Sequence, residues 1–311
     1  MTVAMCLPLG AGVLLGISAS RVGRLLPPAT AVRLLTAAML VTALSTGFVL
    51  SVAALLVLAQ VPLLAALGHW SAEVVGSGLP VPVAVGALAA VTVCGLLVAA
   101  LRRAALGGRD LVAAAVACRR LGPSVAGLVV VDDDEPDAYA LPGIGGRVVV
   151  STAMLRALPV DERRVLLAHE AAHLRYRHAL WVQAAELAAA ANPLLRPAAR
   201  AVRAAVERWA DEVAAAEVGD RTLAARALAR AGLARATARR NSTAMGAALA
   251  GAEGAVADRA RALLAGPPPR RRLLSGAVAG LMFATLTAVL VTGVDTETRF
   301  EAAHSAYTSL R

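Results

Sequence analysis

The sequence contains no lysine; all 31 of its basic residues are arginine. A phosphate-cradling loop that ends in Gly-Lys-Ser/Thr is therefore excluded, and Pro142-Gly143-Ile144-Gly145-Gly146 has to be read as a turn. Aromatic residues are scarce, at 3%, so arginines are not interleaved with stacking platforms. Direct nucleic-acid binding is not expected, despite a formal net charge of +10. Cysteine is limited to Cys6, Cys94 and Cys118, with no C-x-x-C spacing. The three make neither a disulfide framework nor a thiolate metal site and read as small buried hydrophobes.

What is abundant is Ala, Val and Leu, in runs without charge. Residues 1–20 are just long enough to cross a bilayer. A cleaved signal peptide, processed near Ser18-Ala19-Ser20, is the rival reading. Positive charge follows that run (Arg21, Arg24, Arg33) instead of preceding it, which favours a retained span. Further spans are expected at about 34–60, 80–101 and 273–293, the last preceded by Pro267-Pro268-Pro269-Arg270-Arg271-Arg272.

Arginine placement sets an orientation. Arg21, Arg24 and Arg33 separate the first two spans, and Arg102-Arg103 and Arg270–Arg272 bracket the central segment, whereas the loop near His69–Pro80 carries only Glu73. The expectation is a multi-pass cell-membrane protein with residues 102–272 in the cytoplasm and 294–311 as a short extracytoplasmic tail.

Within the central segment, residues 109–121 read as an amphipathic helix and Val125–Val131 as a strand. Asp132–Glu135 reads as a solvated turn. Tyr139–Leu141 and Arg147–Ser151 suit a hairpin. Helices are expected from Pro159 through the motif below, and over about 181–190, 197–218, 221–238 and 255–264. Asn241–Gly254, rich in small residues, reads as a mobile loop.

One stretch carries chemistry: His169-Glu170-Ala171-Ala172-His173. Histidines four apart lie one helical turn apart on the same face, so both can reach one tetrahedral Zn2+ per chain. Glu170 points beside them, placed to take the proton of an attacking water. A catalytic zinc site needs a third protein ligand, and spacing leaves Glu207, Glu186 and His178 open. Glu207 has Asp211 one turn further along the same face, where a carboxylate can hold a ligand histidine in the correct tautomer. Glu186 lies on the helix directly after the motif. His178, five residues past His173, is rotated away from the pair and reads as a surface or supporting group. His69 and His304 read as interfacial.

From Asp137 to His178 the chain resembles integral-membrane zinc peptidases of the HtpX type. The shared features are an Asn/Asp-Ala-Phe/Tyr-Ala segment, a Gly-rich turn, a Val-rich strand and H-E-x-x-H. Glu207-x-x-Ala210-Asp211 resembles their third-ligand motif. The membrane layout and Arg259-x-Arg261-Ala262-Leu263-Leu264 are similar to BlaR/MecR-type sensor peptidases. The resemblance covers roughly residues 100–295. It implies a mainly α membrane protein of about four transmembrane helices with an inserted α+β zincin-like domain. It also implies a zinc metalloendopeptidase with His169, His173 and Glu207 as ligands, Asp211 supporting them and Glu170 as catalytic base.

The strand Arg147, Val148, Val149, Val150 is expected to be the edge on which an extended substrate pairs. Expected partners are the bilayer and a cytosolic or membrane protein substrate, for instance a transcriptional repressor, or the chain itself. Membrane quality control and a non-catalytic signalling role are the alternatives. Residues 294–311 contain no S-x-x-K or K-T-G motif, so the β-lactam sensing of BlaR/MecR-type receptors is not expected here.

Overall fold

The computed structural model describes residues 2–77, 82–121, 124–143, 145–241 and 246–309. Helices α1 (Thr2–Leu25) and α2 (Pro28–Leu58) form an antiparallel pair, turned at Pro27 with Pro28 in the first helical turn. Two short helices, α3 (Pro62–Gly68) and α4 (Ala72–Gly76), cap one end of the bundle before α5 (Val83–Arg120). Strands β1 (Leu128–Val131), β2 (Ala138–Leu141) and β3 (Arg147–Ser151) follow. Next come α6 (Thr152–Ala157), α7 (Val160–Arg175) and α8 (His178–Ala191). After a 3-10 turn at Pro193–Leu195, α9 (Arg196–Val218), α10 (Arg221–Asn241), α11 (Gly246–Ala265) and α12 (Arg272–Ser309) complete the chain.

The protein is a mainly α membrane protein. Among the described residues four helices are long and apolar enough to cross a membrane: α1, α2, α5 and α12. Their lipid-facing sides keep Ile17, Leu44, Leu97 and Phe283 exposed. Cys6 and Cys94 are exposed on these same surfaces; only Cys118 is buried as expected.

All four helices outrun the spans that hydropathy delimits, the third and fourth by the most. The third continues through Arg102-Arg103 into the segment expected as a separate helix, giving 38 unbroken residues, because Ala-rich sequence follows and no proline stops it. The fourth runs on to Ser309 as one helix, since its outer part has something to pack on. Ala303 is fully buried, Trp70 meets Phe300 edge-to-face at 5.4 Å, and the Ser71 N–H donates to the Ala303 carbonyl at 3.0 Å. The expected mobile loop is helical from Gly246 onward; its residues 242–245 lie outside the described residues.

The expected hairpin forms, with β2 and β3 antiparallel, but the sheet order is β1-β3-β2. β1 pairs parallel with β3 in the register Leu128↔Val148 to Val131↔Ser151. Arg147, Val148, Val149 and Val150 therefore lie on the central strand, hydrogen-bonded on both sides, and cannot be the substrate edge. Val149 and Val150 are fully buried, as suits a central strand. The open edge on the hairpin side belongs to β2.

The largest core does not respect the boundary between spans and central segment. Leu15, Ala19 and Val22 of α1, Leu26 of the following turn and Val32, Leu35 and Met39 of α2 share it with Ala185, Ala188, Leu195, Ala198, Val202 and Trp209. The α8–α9 hairpin is thus packed into the membrane helices, and α9 carries part of that core outward to the chemistry.

Candidate metal centre

Helix α7 begins after Pro159 with Asp161 and Glu162 in its first turn, where carboxylates oppose the helix dipole favourably. Its last two turns present His169, Glu170 and His173. Across from it runs α9, whose strongly two-sided sequence buries Val202, Ala205, Val206, Trp209 and Ala210 and leaves Glu207 half-exposed toward the histidines.

His169 Nε2 and His173 Nε2 are 3.2 Å apart, and Glu207 carboxylate oxygens lie 3.7 and 3.8 Å from them. Among the described residues this trio is the one group whose donor atoms converge as metal ligands. Tetrahedral zinc with bonds of about 2.0–2.1 Å separates its donors by about 3.3 Å, so this set fits the ion with small movements.

Each imidazole is held by its other nitrogen. His169 Nδ1 lies 3.1 Å from the buried Asp211 carboxylate. His173 Nδ1 lies 3.0 Å from His178 Nδ1. A lone pair on His173 Nε2 places the proton on its Nδ1, which then donates to His178. Of the two roles that spacing left for His178, surface or supporting group, burial removes the first. Helix α7 stops at Arg175, and Arg177 takes a left-handed φ of 52°, which folds His178 back against His173 at the start of α8. Glu186, the other rival ligand, pairs instead with Arg203 at 2.7 Å.

Two arginines escaped the sequence reading. Arg259, from α11, meets the two Asp211 oxygens at 2.7 and 2.8 Å and Glu207 at 3.0 Å. Arg235, from α10, donates to the Ala138 carbonyl of β2 at 2.7 Å, pairs with Asp137 at 3.2 Å and stands 4.0 Å from Glu170. No spacing rule links either to H-E-x-x-H; the only signal was the Arg259-x-Arg261 run itself.

Protonation follows from these contacts. Burial alone would lower His169, but its hydrogen bonds to Asp211 and Glu207 outweigh that and hold it up at about 9. Burial, with the neighbouring His169 charge, pushes His173 down to about 4. Burial opposes ionisation of Glu207, yet His169 and Arg259 bring it down to about 2. Burial raises Glu170 above the usual carboxylate range, a direction that suits a base. Burial would also raise Asp211, but Arg259 and His169 hold it below its ordinary value.

These groups open into a cavity of about 380 Å³. β2 contributes Asp137, Ala138 and Tyr139, and the α10–α11 side is floored by Ala227, Leu228, Ala231 and Val256. The Ser151 N–H donates to the Asp137 carbonyl at 2.9 Å, so alternation turns the N–H and C=O of Ala138 and Ala140 to the open edge.

A model of peptidase family M48 matches residues 110–305. No curated protein and no solved structure matches the chain at a significant level.

Proposed function

The chain belongs to peptidase family M48, and from that membership we propose that it is a membrane-bound zinc endopeptidase cleaving cytosolic or membrane proteins. One observation carries the reading. Two imidazole Nε2 atoms and a carboxylate converge within reach of one ion, beside a buried glutamate and an open strand edge. A purely structural zinc site has no use for a base such as Glu170.

His169, His173 and Glu207 would hold the metal, with Asp211 and His178 fixing the two imidazoles. When bound, zinc supplies a Lewis acid that polarises the scissile carbonyl and acidifies water. Glu170 takes the proton of the attacking water and returns it to the leaving amine, closing the proton balance of hydrolysis. The substrate backbone would lie along β2, where Ala140 offers both its N–H and C=O. Arg235 occupies the Ala138 carbonyl and keeps α10 against that strand. Pairing of this kind reads backbone more than side chains.

Cytoplasmic placement of the metal centre in the cell membrane is supported by the arginine distribution around the spans. A regulatory role, in cleavage of a repressor or of the chain itself, is supported by the connection from α12 through the prolines to α11 and Arg259. The decisive experiment compares membrane and soluble proteomes of cells carrying wild type or Glu170→Gln. Protein termini present only with wild type are expected; identical proteomes and an uncleaved chain in both would reject the peptidase reading. A reporter fused after Leu264 is expected to be active only in the cytoplasm.

A further inference from the structure

The tip of the α8–α9 hairpin sits deep among the membrane helices. Asn192 Nδ2 donates to Thr46 Oγ1 at 3.2 Å, and Thr46 lies near the middle of α2. A Cβ on Gly16, well inside α1, would stand 2.4 Å from the Leu194 carbonyl oxygen, so the absence of a side chain there permits the approach. Further along, Gly23 faces Ala201. Helix α9 therefore climbs beside α1 from within the spans out to the metal centre.

Its faces differ sharply. Ala198, Val202, Ala205 and Trp209 are buried against α1 and α2. The opposite face carries Arg196, Arg200 and Arg203, spaced four and three apart and therefore in one stripe. Arg203 is neutralised by Glu186 of α8 at 2.7 Å. Arg196 and Arg200 are exposed and form no ion pair among the described residues.

An uncompensated guanidinium at this depth is costly unless its long stem carries the charge to the headgroup region. There its planar fork matches a phosphate oxygen pair. Two such cations with no protein counter-charge favour a headgroup carrying net negative charge; a choline headgroup would bring a further cation to the stripe. We propose that Arg196 and Arg200 bind an anionic phospholipid headgroup, and that the α8–α9 hairpin is a re-entrant element lying in the leaflet nearest the metal centre. The proposal stands independently of the peptidase chemistry.

The test uses the full chain in nanodiscs of phosphatidylcholine mixed with phosphatidylglycerol, with retained lipid read by native mass spectrometry. Wild type is expected to retain phosphatidylglycerol severalfold over its share of the mixture. Arg196→Gln with Arg200→Gln is expected to bring that ratio close to one, with metal content unchanged. No preference in wild type, or an unchanged preference in the double variant, overturns the site. Displacement of the lipid by millimolar inorganic phosphate would assign the stripe to free phosphate and overturn the lipid assignment.

Depth has its own readout. With the native cysteines replaced by alanine, a nitroxide at Leu194→Cys is expected to be open to oxygen and shielded from a water-soluble nickel chelate. Leu233→Cys on α10 should show the reverse. Equal nickel access at both positions overturns the re-entrant placement.

Discussion

Arg259 grips Asp211 with two guanidinium nitrogens, at 2.7 and 2.8 Å, and the same carboxylate lies against His169 Nδ1 at 3.1 Å. A residue on α11 thereby sets the orientation of a histidine on α7. Removing the arginine leaves the buried carboxylate with His169 as its remaining partner, at a cost of up to about 3–5 kcal/mol. Arg259→Leu is expected to lower the unfolding midpoint and reduce metal content after dialysis. Asp211→Asn keeps the shape but loses the charge, and metal affinity is expected to fall about 10–100-fold.

The metal-free protein has a distinctive pH dependence. His169 titrates near 9 when folded, against an ordinary 6.5, so the folded state holds an extra proton between those values. That stabilisation is fully present below about 6.5 and is lost as pH rises through about 9. Metal binding requires the same Nε2 lone pair and displaces this proton. Thermal unfolding of chelated protein is expected to weaken over this range, while metal-loaded protein stays level; calorimetric titration with zinc near neutrality should report proton release.

His178 offers a test in which no ligand or base is touched. His178→Phe preserves a ring beside Trp209, which lies 4.8 Å away, but removes the acceptor for His173 Nδ1. Metal affinity is expected to drop about 10–100-fold, with kcat/KM restored by excess zinc. Unchanged affinity would show that His173 needs no such support.

On the open edge, Ala140→Pro removes one backbone donor while β2 still pairs with β3 through Tyr139 and Leu141. A loss of about tenfold in kcat/KM on an extended peptide is expected, the equivalent of about 1.4 kcal/mol or one hydrogen bond. Metal content should not change. Retention of full activity would mean that substrate does not pair with β2.

Gly16→Ala puts a methyl group against the Leu194 carbonyl oxygen, a backbone atom that cannot rotate away. A destabilisation of about 1–3 kcal/mol is expected, read as a lower unfolding midpoint in detergent. Gly10→Ala, where a Cβ meets nothing within 4 Å, serves as the control.

The four candidate spans were legible because hydropathy depends on local composition, and the helix that pairs His169 with His173 because i,i+4 spacing is fixed by helix geometry. Glu207 and Asp211 were legible through their own spacing and a family resemblance. Strand order was not: β1 reaches β3 across intervening sequence, and no local pattern announces that β3 becomes central. Reading His178 as rotated away extended α7 three residues too far, past the left-handed turn at Arg177. The partners Arg235 and Arg259 lie dozens of residues from the motif, and their meeting depends on how α10 and α11 fold over the cavity. The depth of α8 and α9 escaped because their arginines and Glu186 mask an apolar face that packs on other helices.

Helix α12 is anchored at both extremities. Its far end is fastened to the cap by the Ser71–Ala303 hydrogen bond and by Arg299, which donates to the Ser77 carbonyl at 2.9 Å. Its near end meets Pro267-Pro268-Pro269, a stretch that resists bending, and then α11 with Arg259. Between the prolines and α11 stands Gly266, at a left-handed φ of 85° with open space around it. Axial displacement of α12 would therefore meet a hinge at Gly266 before it reached the carboxylates beside His169.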